Sequence, residues 1–191
     1  AEPGALNQMV ELLEANPRLG LLSADVGDGM VPIIDKNFGP IFRPGGTDPG
    51  LEACDYPHGT MFIARRGCLQ KIGVYDERFF TYCEEADLGL RAQAADWEVG
   101  LARGAQVINP RVSTPRAAAD YLMERNTLLL TAKHFGVMAT GVRTVLAVGQ
   151  LIDRTLRRSK RDEYFSARAR VMALRDAALG RFGPPPASLL Q

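Results

Sequence analysis

The sequence predicts an α/β fold continued by C-terminal α-helices. Short apolar runs alternate with helical patterns through the first two-thirds of the chain. Residues 137–191 hold two amphipathic helical patterns and no strand pattern. A hydrophobic content of 46% over 191 residues suits a packed core rather than a disordered chain.

The elements follow in order. "EPGALNQMVELLEANP" reads as a helix, with Pro3 in its first turn, Leu6, Met9, Val10 and Leu13 on one face, and Asn16-Pro17 as its stop. "LGLLSA" is short and apolar enough for a buried strand. Residues 25–57, rich in Gly, Pro and Asp, read as a long loop with brief extended pieces. "GTMFIARR" predicts a second strand, "GCLQKIG" a short helical turn and "CEEADLGLRAQAAD" a helix. "WEVGLA" and "AQVIN" read as two short strands, and a helix runs from about Thr114 to Phe135. Val142, Val145, Gly149, Ile152 and Leu156 then recur at helical spacing, as do Tyr164, Ala167, Val171, Leu174 and Ala178. Gly180 and Pro184 to Pro186 stop the last helix. The division expected is a body over 1–136 and a helical extension over 137–191.

Charge divides the same way. Residues 1–135 hold 13 Lys/Arg against 18 Asp/Glu, and residues 136–191 hold 10 against 4, balances of −5 and +6 within a net +1. Cys54, Cys68 and Cys83 show no CxxC spacing and cannot all pair, which points to a reducing compartment. No apolar run reaches the ~20 residues of a membrane-spanning helix, and Ala1 opens no signal segment. The expectation is a cytoplasmic chain, at the inner face of the membrane if it touches one.

The chemistry concentrates in "GVYDERFFTYCEEADLGLRAQAADW", where Asp76, Glu77, Glu84, Glu85 and Asp87 surround Phe79, Phe80 and Tyr82. Acids in the first turn of a helix stabilise it by ~0.3–1 kcal/mol each, and that role alone could account for Glu84, Glu85 and Asp87. A carboxylate on a cleft floor could equally serve as a general base. Glu84 and Asp87 share a helix face, whereas Glu85 points roughly 100° away, so the three acids cannot all do one job.

The stretch resembles the acceptor-side motif of inverting GT-A glycosyltransferases of family 2, especially their rhamnosyltransferase-like branch. The counterparts are Gly73, Asp76, Glu77, Phe79, Phe80, Glu84, Glu85, Asp87, Leu88, Arg91 and Trp97, with Asp96 where Gly is usual. Upstream, Gly59, Arg65 and Arg66 in "HGTMFIARRGCLQKIG" match, and downstream so do Tyr121, Arg125 and Asn126 in "YLMERNTLLLTAKHFG". The likeness runs from residue 1 to about 136 and implies a partial nucleotide-diphospho-sugar transferase fold.

By that resemblance Glu85 is the catalytic base, taking the proton of an acceptor hydroxyl as it attacks the anomeric carbon of a nucleotide sugar, with inversion. Glu84 and Asp87 would orient the base or hold acceptor hydroxyls. His58, Gly59, Trp97 and Arg125 join them as candidate substrate contacts. Alternatives stay beside these roles: a core aromatic for Trp97, a solvated loop histidine for His58, and for His134 a cation at a helix end. The resemblance also implies a divalent cation, Mg or Mn, in the complete enzyme. The family's Asp-x-Asp motif occurs nowhere in this chain, so it and the nucleotide-binding half are expected upstream of Ala1, and no ion is expected on this chain alone. Asn109 stands where relatives often place a metal-ligating His, and amide oxygen is a poor ligand beside imidazole.

"RTLRRSKR", residues 154–161, adjoins the apolar stripe Val142 to Leu156. A basic amphipathic helix can lie on an anionic membrane, which would suit a lipid-linked acceptor. The stripe could instead pack on the acidic body. Nucleic acid is not expected as a partner, because interleaved aromatics and any recognised binding module are missing. A non-catalytic scaffold protein descended from such a transferase is the rival reading.

Overall fold

The computed structural model describes residues 1–108 and 114–190. Asn109, the position read as a possible departure from a metal ligand, lies outside them. The chain forms two compact units. One comprises Ala1–Asp35, Pro40–Tyr75 and Glu85–Arg111; the other comprises Lys36–Gly39, Asp76–Glu84 and Val112–Gln191.

The first unit is built on a four-stranded mixed sheet. Helix α1 (Ala5–Ala15) leads into β1 (Leu19–Asp25), followed by β2 (Met30–Asp35), β3 (Gly39–Pro44), β4 (Gly50–Ala53) and β5 (Phe62–Ala64). Helices α2 (Arg66–Ile72) and α3 (Glu84–Ala94) precede β6 (Glu98–Gln106). The sheet order is β4-β6-β1-β5, with β2 and β3 forming a separate two-stranded sheet. β1 runs parallel to β6 and antiparallel to β5, and β4 is antiparallel to β6. Every residue of β1 is buried, as a central strand covered on both faces requires.

Alternation from Leu21 onward assigns the two faces of β1, and a register irregularity between Leu19 and Leu21 puts Leu19 on the opposite face from Leu21. Leu19, Leu22 and Ala24 join Ala5 and Met9 of α1 with Ala102 and Ala105 of β6. Leu21 points the other way, into Cys68, Leu88, Ala92, Val99 and Leu101 beneath α2 and α3. Full burial of each leucine contributes ~1.5–3 kcal/mol.

Two expectations are corrected here. Residues 25–57 hold three strands, β2 to β4, rather than one long loop. The strands are only 4–6 residues long, and β3 and β4 are half exposed, so their hydrophobic pattern is weak. Arg103, nearly buried, gathers their ends: its Nε donates to Glu52 (2.6 Å), Nη1 to Asp25 (3.4 Å) and Nη2 to the Met30 carbonyl (3.0 Å). The two predicted strands are joined in one, β6, which runs from Glu98 in "WEVGLA" to Gln106 in the next apolar run. The break in pattern between them is a bulge: the register slips between Ala24 and Asp25, Gly104 takes φ +87°, and its N–H donates to Asp25.

The second unit is helical. α4 (Arg116–Leu156) joins the two predicted helices end to end, with Gly136 at φ +80° as the only non-helical residue between them. No side chain but hydrogen accepts that conformation readily, so the axis breaks there without a linker. α5 (Ala167–Ala178) starts later than its pattern implied, where the Ser166 hydroxyl caps the Ala169 N–H at 3.3 Å. It packs on α4 through Ala118, Tyr121, Leu122, Ala169 and Ala173. Glu124 pairs with Arg143 (2.5 Å), and Asp120 with Arg170 (2.8 Å), all four buried. Contrary to the expectation that no segment is long and apolar enough to cross a membrane, α4 meets that test by length and composition.

Candidate functional site

In the first unit the candidate base sits at the start of α3. Glu85 is half-buried, and its carboxylate lies against the backbone of Gly59: a Cβ built on Gly59 would collide with Glu85 Oε1. A glycine at position 59 is therefore what allows a carboxylate to rest on that turn. The turn itself is fixed from β1. Ser23 is the one polar residue in an otherwise apolar stretch of that strand, and its hydroxyl accepts from the His58 N–H at 2.9 Å and donates to the Ala24 carbonyl at 3.1 Å. Nothing in the spacing marks Ser23 as functional; its polarity within "LGLLSA" is the signal that could have found it.

His58 has a defined state. Its Nδ1 accepts from the Thr60 N–H at 3.2 Å, which leaves the proton of the neutral ring on Nε2. Burial pushes its pKa below the ordinary value, against an opposing pull from Asp28. The folded state therefore binds fewer protons than the unfolded chain just below pH ~6.5. The associated stability is present above that pH and lost as pH falls through the folded pKa. We expect unfolding midpoints to drop between pH ~7.5 and ~5, and the drop to be shallower in His58→Gln. Identical slopes for the two proteins would remove His58 as the titrating group.

Other predicted site residues have different surroundings. Asp87 is fully buried and pairs with Arg91 (2.9 Å), whose guanidinium also donates to the carbonyls of Ile72 (2.5 Å) and Val74 (2.8 Å). That cluster ties the end of α2 to α3, and no part of the Asp87 side chain is exposed to an acceptor. Gly89 brings the same helix so close that an added Cβ would strike the Asp55 carbonyl and Tyr56 Cα. Trp97 lies three residues beyond Ala94, the far end of α3, and that end is nine residues or ~14 Å of helix from Glu85. It packs in the core with Cys68, Leu69 and Ile72, and its Nε1 is buried without a hydrogen-bond partner. The structure thus joins Glu85 with Gly59 and does not bring Trp97 to them.

Glu84 and Arg125 belong to the second unit. Arg125 is buried, donating to the Gly183 carbonyl (2.7 Å), the Tyr121 hydroxyl (3.3 Å) and Asn126 Oδ1 (3.0 Å), with Tyr121 and Phe182 rings beneath it. Its contacts are structural. Asn126, its neighbour, does more. Its Nδ2 donates to the carbonyls of Phe79 (2.7 Å), Thr81 (2.8 Å) and Tyr82 (2.8 Å). That loop ends at Glu84, and three of its residues, Phe80, Tyr82 and Cys83, have φ between +65° and +71°. Non-glycine residues there are strained by ~1–3 kcal/mol each, and persist where surrounding bonds over-determine them. Asp76 braces the loop's start: Arg78 (2.6 Å) and Lys133 (2.8 Å) hold its carboxyl well below the usual range.

The acids beside the aromatics thus separate by job. Asp76 and Asp87 are paired structural carboxylates, and Glu85 lies on the Gly59 turn. Cys54 and Cys68 are buried free thiols, Cys54 pushed up to about 12 by burial, so neither is a thiolate nucleophile. Among the described residues no three His, Cys, Asp or Glu side chains converge on a point where they could hold a metal ion. The described residues therefore do not fit a divalent cation.

No family model matches this chain. It is similar to the N-acetylglucosaminyl-diphospho-decaprenol L-rhamnosyltransferase of Mycobacterium tuberculosis, in each of two strains, CDC 1551 / Oshkosh and ATCC 25618 / H37Rv. The identity is 29% over 131 residues, covering 63% of this chain and 42% of each relative. The chain therefore spans less than half the length of the curated relatives it matches. This distant likeness supports a glycosyltransferase origin, and the mixed α/β sheet with C-terminal helices is consistent with part of a nucleotide-diphospho-sugar transferase fold.

Proposed function

We propose that this chain supplies the acceptor-side, base-bearing part of an inverting glycosyltransferase of the GT-A type, related to family 2. The observation that carries the reading is the Glu85 carboxylate resting on the Gly59 backbone, at the start of a helix on which Asp87, another motif carboxylate, is engaged in a buried ion pair. The rhamnosyltransferase likeness supports the reaction class.

In this reading an acceptor hydroxyl approaches Glu85, which removes its proton as the oxygen attacks the anomeric carbon. The nucleoside diphosphate departs from the opposite face and the configuration inverts. Glu85 ends the step protonated and is reset by solvent. Gly59 holds the base in position, Ser23 fixes the turn, and neutral His58 presents an Nε2–H that can donate to a substrate oxygen. The donor is a nucleotide sugar, the acceptor a hydroxyl, lipid-linked by analogy with the relative's printed name. No residue of this chain is assigned to the donor diphosphate or to a divalent cation, which would act as a Lewis acid on the leaving group.

Calorimetric titration tests the division of labour. The chain is expected to bind UDP- and dTDP-sugars with dissociation constants no tighter than ~1 mM, about −4 kcal/mol. A micromolar constant would place a donor site on these residues and overturn the assignment.

A further inference from the structure

We propose that the second half of α4 lies in the plane of an anionic lipid surface, its apolar stripe in the acyl boundary and its basic end on the headgroups. The inference stands on this face alone and does not rest on the transferase reading.

The stripe is inverted relative to an ordinary core helix. Met138, Val142, Val145, Gly149, Ile152 and Leu156 recur every three or four residues and fall within one ~80° sector of the helix. That sector faces out. Met138 is 86% exposed, Val145 73% and Leu156 77%. The buried positions, Arg143 and Ala147, lie on the opposite side. There Arg143 is paired with Glu124, and Thr140, Thr144 and Val148 line a cavity of about 210 Å³ with Leu128, Leu174 and Phe182. The helix is thus held by its polar side, with its apolar side unburied. Exposed apolar surface of that continuity marks an interaction site.

Three physical points select the occupant. Crossing a bilayer would strip Arg143 from Glu124 and place a charge in hydrocarbon, so the pinned helix lies along the surface rather than through it. From Phe135 to Ile152 the segment carries no acid; five bases follow over 154–161, of which Arg154 pairs with Asp162, and Arg157 (3.3 Å) and Lys160 (2.9 Å) pair with Asp153, so residues 153–163 keep five bases against three acids. In a parallel pair of copies these basic ends would meet and repel; in an antiparallel pair each would face a stretch with no acid to receive it. An anionic surface receives the surplus of positive charge that Asp153, Asp162 and Glu163 leave uncompensated.

Sedimentation with phosphatidylcholine vesicles containing about one-third phosphatidylglycerol tests this on the chain itself. The protein is expected to pellet with them and to remain in the supernatant with pure phosphatidylcholine. Raising salt from about 0.1 M to 1 M, where the Debye length shrinks to ~3 Å, should cut binding at least tenfold. Val145→Asp with Ile152→Asp should cut it more than tenfold, as should Arg157→Glu with Arg158→Glu. All four positions are exposed or peripheral to the core, so unchanged melting temperatures will show that the fold survives. Failure to pellet, or equal pelleting by the aspartate variant, would overturn the proposal. So would a wild-type dimer by light scattering that the aspartate variant dissolves, since the stripe would then belong to a second copy.

Discussion

Glu85→Gln is expected to lower kcat by ~10²–10⁴-fold, or about 3–5 kcal/mol of barrier, in a form of the protein that carries the donor-binding residues. Glutamine keeps the shape of the side chain against Gly59 and removes its ability to accept a proton. Donor affinity should change little, because the proton is taken from the acceptor. Gly59→Ala should lower the rate by a related route. Its Cβ would drive the Glu85 carboxylate aside, and a displacement on the order of 1 Å costs ~10²-fold where reacting atoms must be aligned. The far end of a glutamate is flexible, so Gly59→Ala should melt near the wild-type temperature. Glu84→Gln should keep most of the activity. Asp87→Asn should act on stability, since it weakens the buried pair with Arg91. Normal turnover in Glu85→Gln alongside a dead Glu84→Gln would move the base one residue along the chain.

The second large effect is on stability. Asn126→Leu should destabilise the protein by about 3 kcal/mol or more, measured by urea unfolding. One amide nitrogen reaches three carbonyls of the loop 79–82; the leucine leaves those of Thr81 and Tyr82 facing an apolar group, while the Phe79 carbonyl keeps the Thr81 N–H (2.8 Å). Each buried carbonyl left without a donor costs ~1–3 kcal/mol. The left-handed residues Phe80, Tyr82 and Cys83 would then relax, releasing strain that the native bonds hold. A loss below about 1 kcal/mol would show that the loop holds itself.

Much of this was legible in the sequence. Leu21 and Leu22 announce a two-faced buried strand by sitting adjacent in an apolar run, and α3, α4 and α5 follow from their periodicity. The extended pieces of residues 25–57 were not legible as strands. Their order comes from a distant residue, Arg103, which no local pattern connects to Glu52 or Asp25. The bulge at Gly104 hid the continuity of β6 for a similar reason, since a glycine within an apolar pattern looks like a turn. At the site, the motif located Glu85 and Gly59 without showing that they touch. It grouped Asp87, Arg91, Arg125 and Trp97 with them, because spacing does not show which side chains the fold turns toward a buried partner or a backbone carbonyl. Their partners, the Ile72, Val74 and Gly183 carbonyls among them, appear only in three dimensions. The outward apolar stripe of α4 was visible as a stripe; its direction was not, because that depends on Arg143 finding Glu124.

Gly89 limits how this fold could diversify. With no room for even a methyl group between α3 and the Asp55–Tyr56 backbone, the helix cannot slide or tilt to fit a larger acceptor without separating Glu85 from its turn. Lineages that change acceptor must leave this helix where it stands and vary what surrounds it. The half-exposed hairpin of β2 and β3, with Phe38 and Phe42 turned outward, is where sequence can drift at small cost to the fold. Comparing paralogues of different acceptor preference should therefore show a fixed glycine at this position and a hypervariable segment around 36–48.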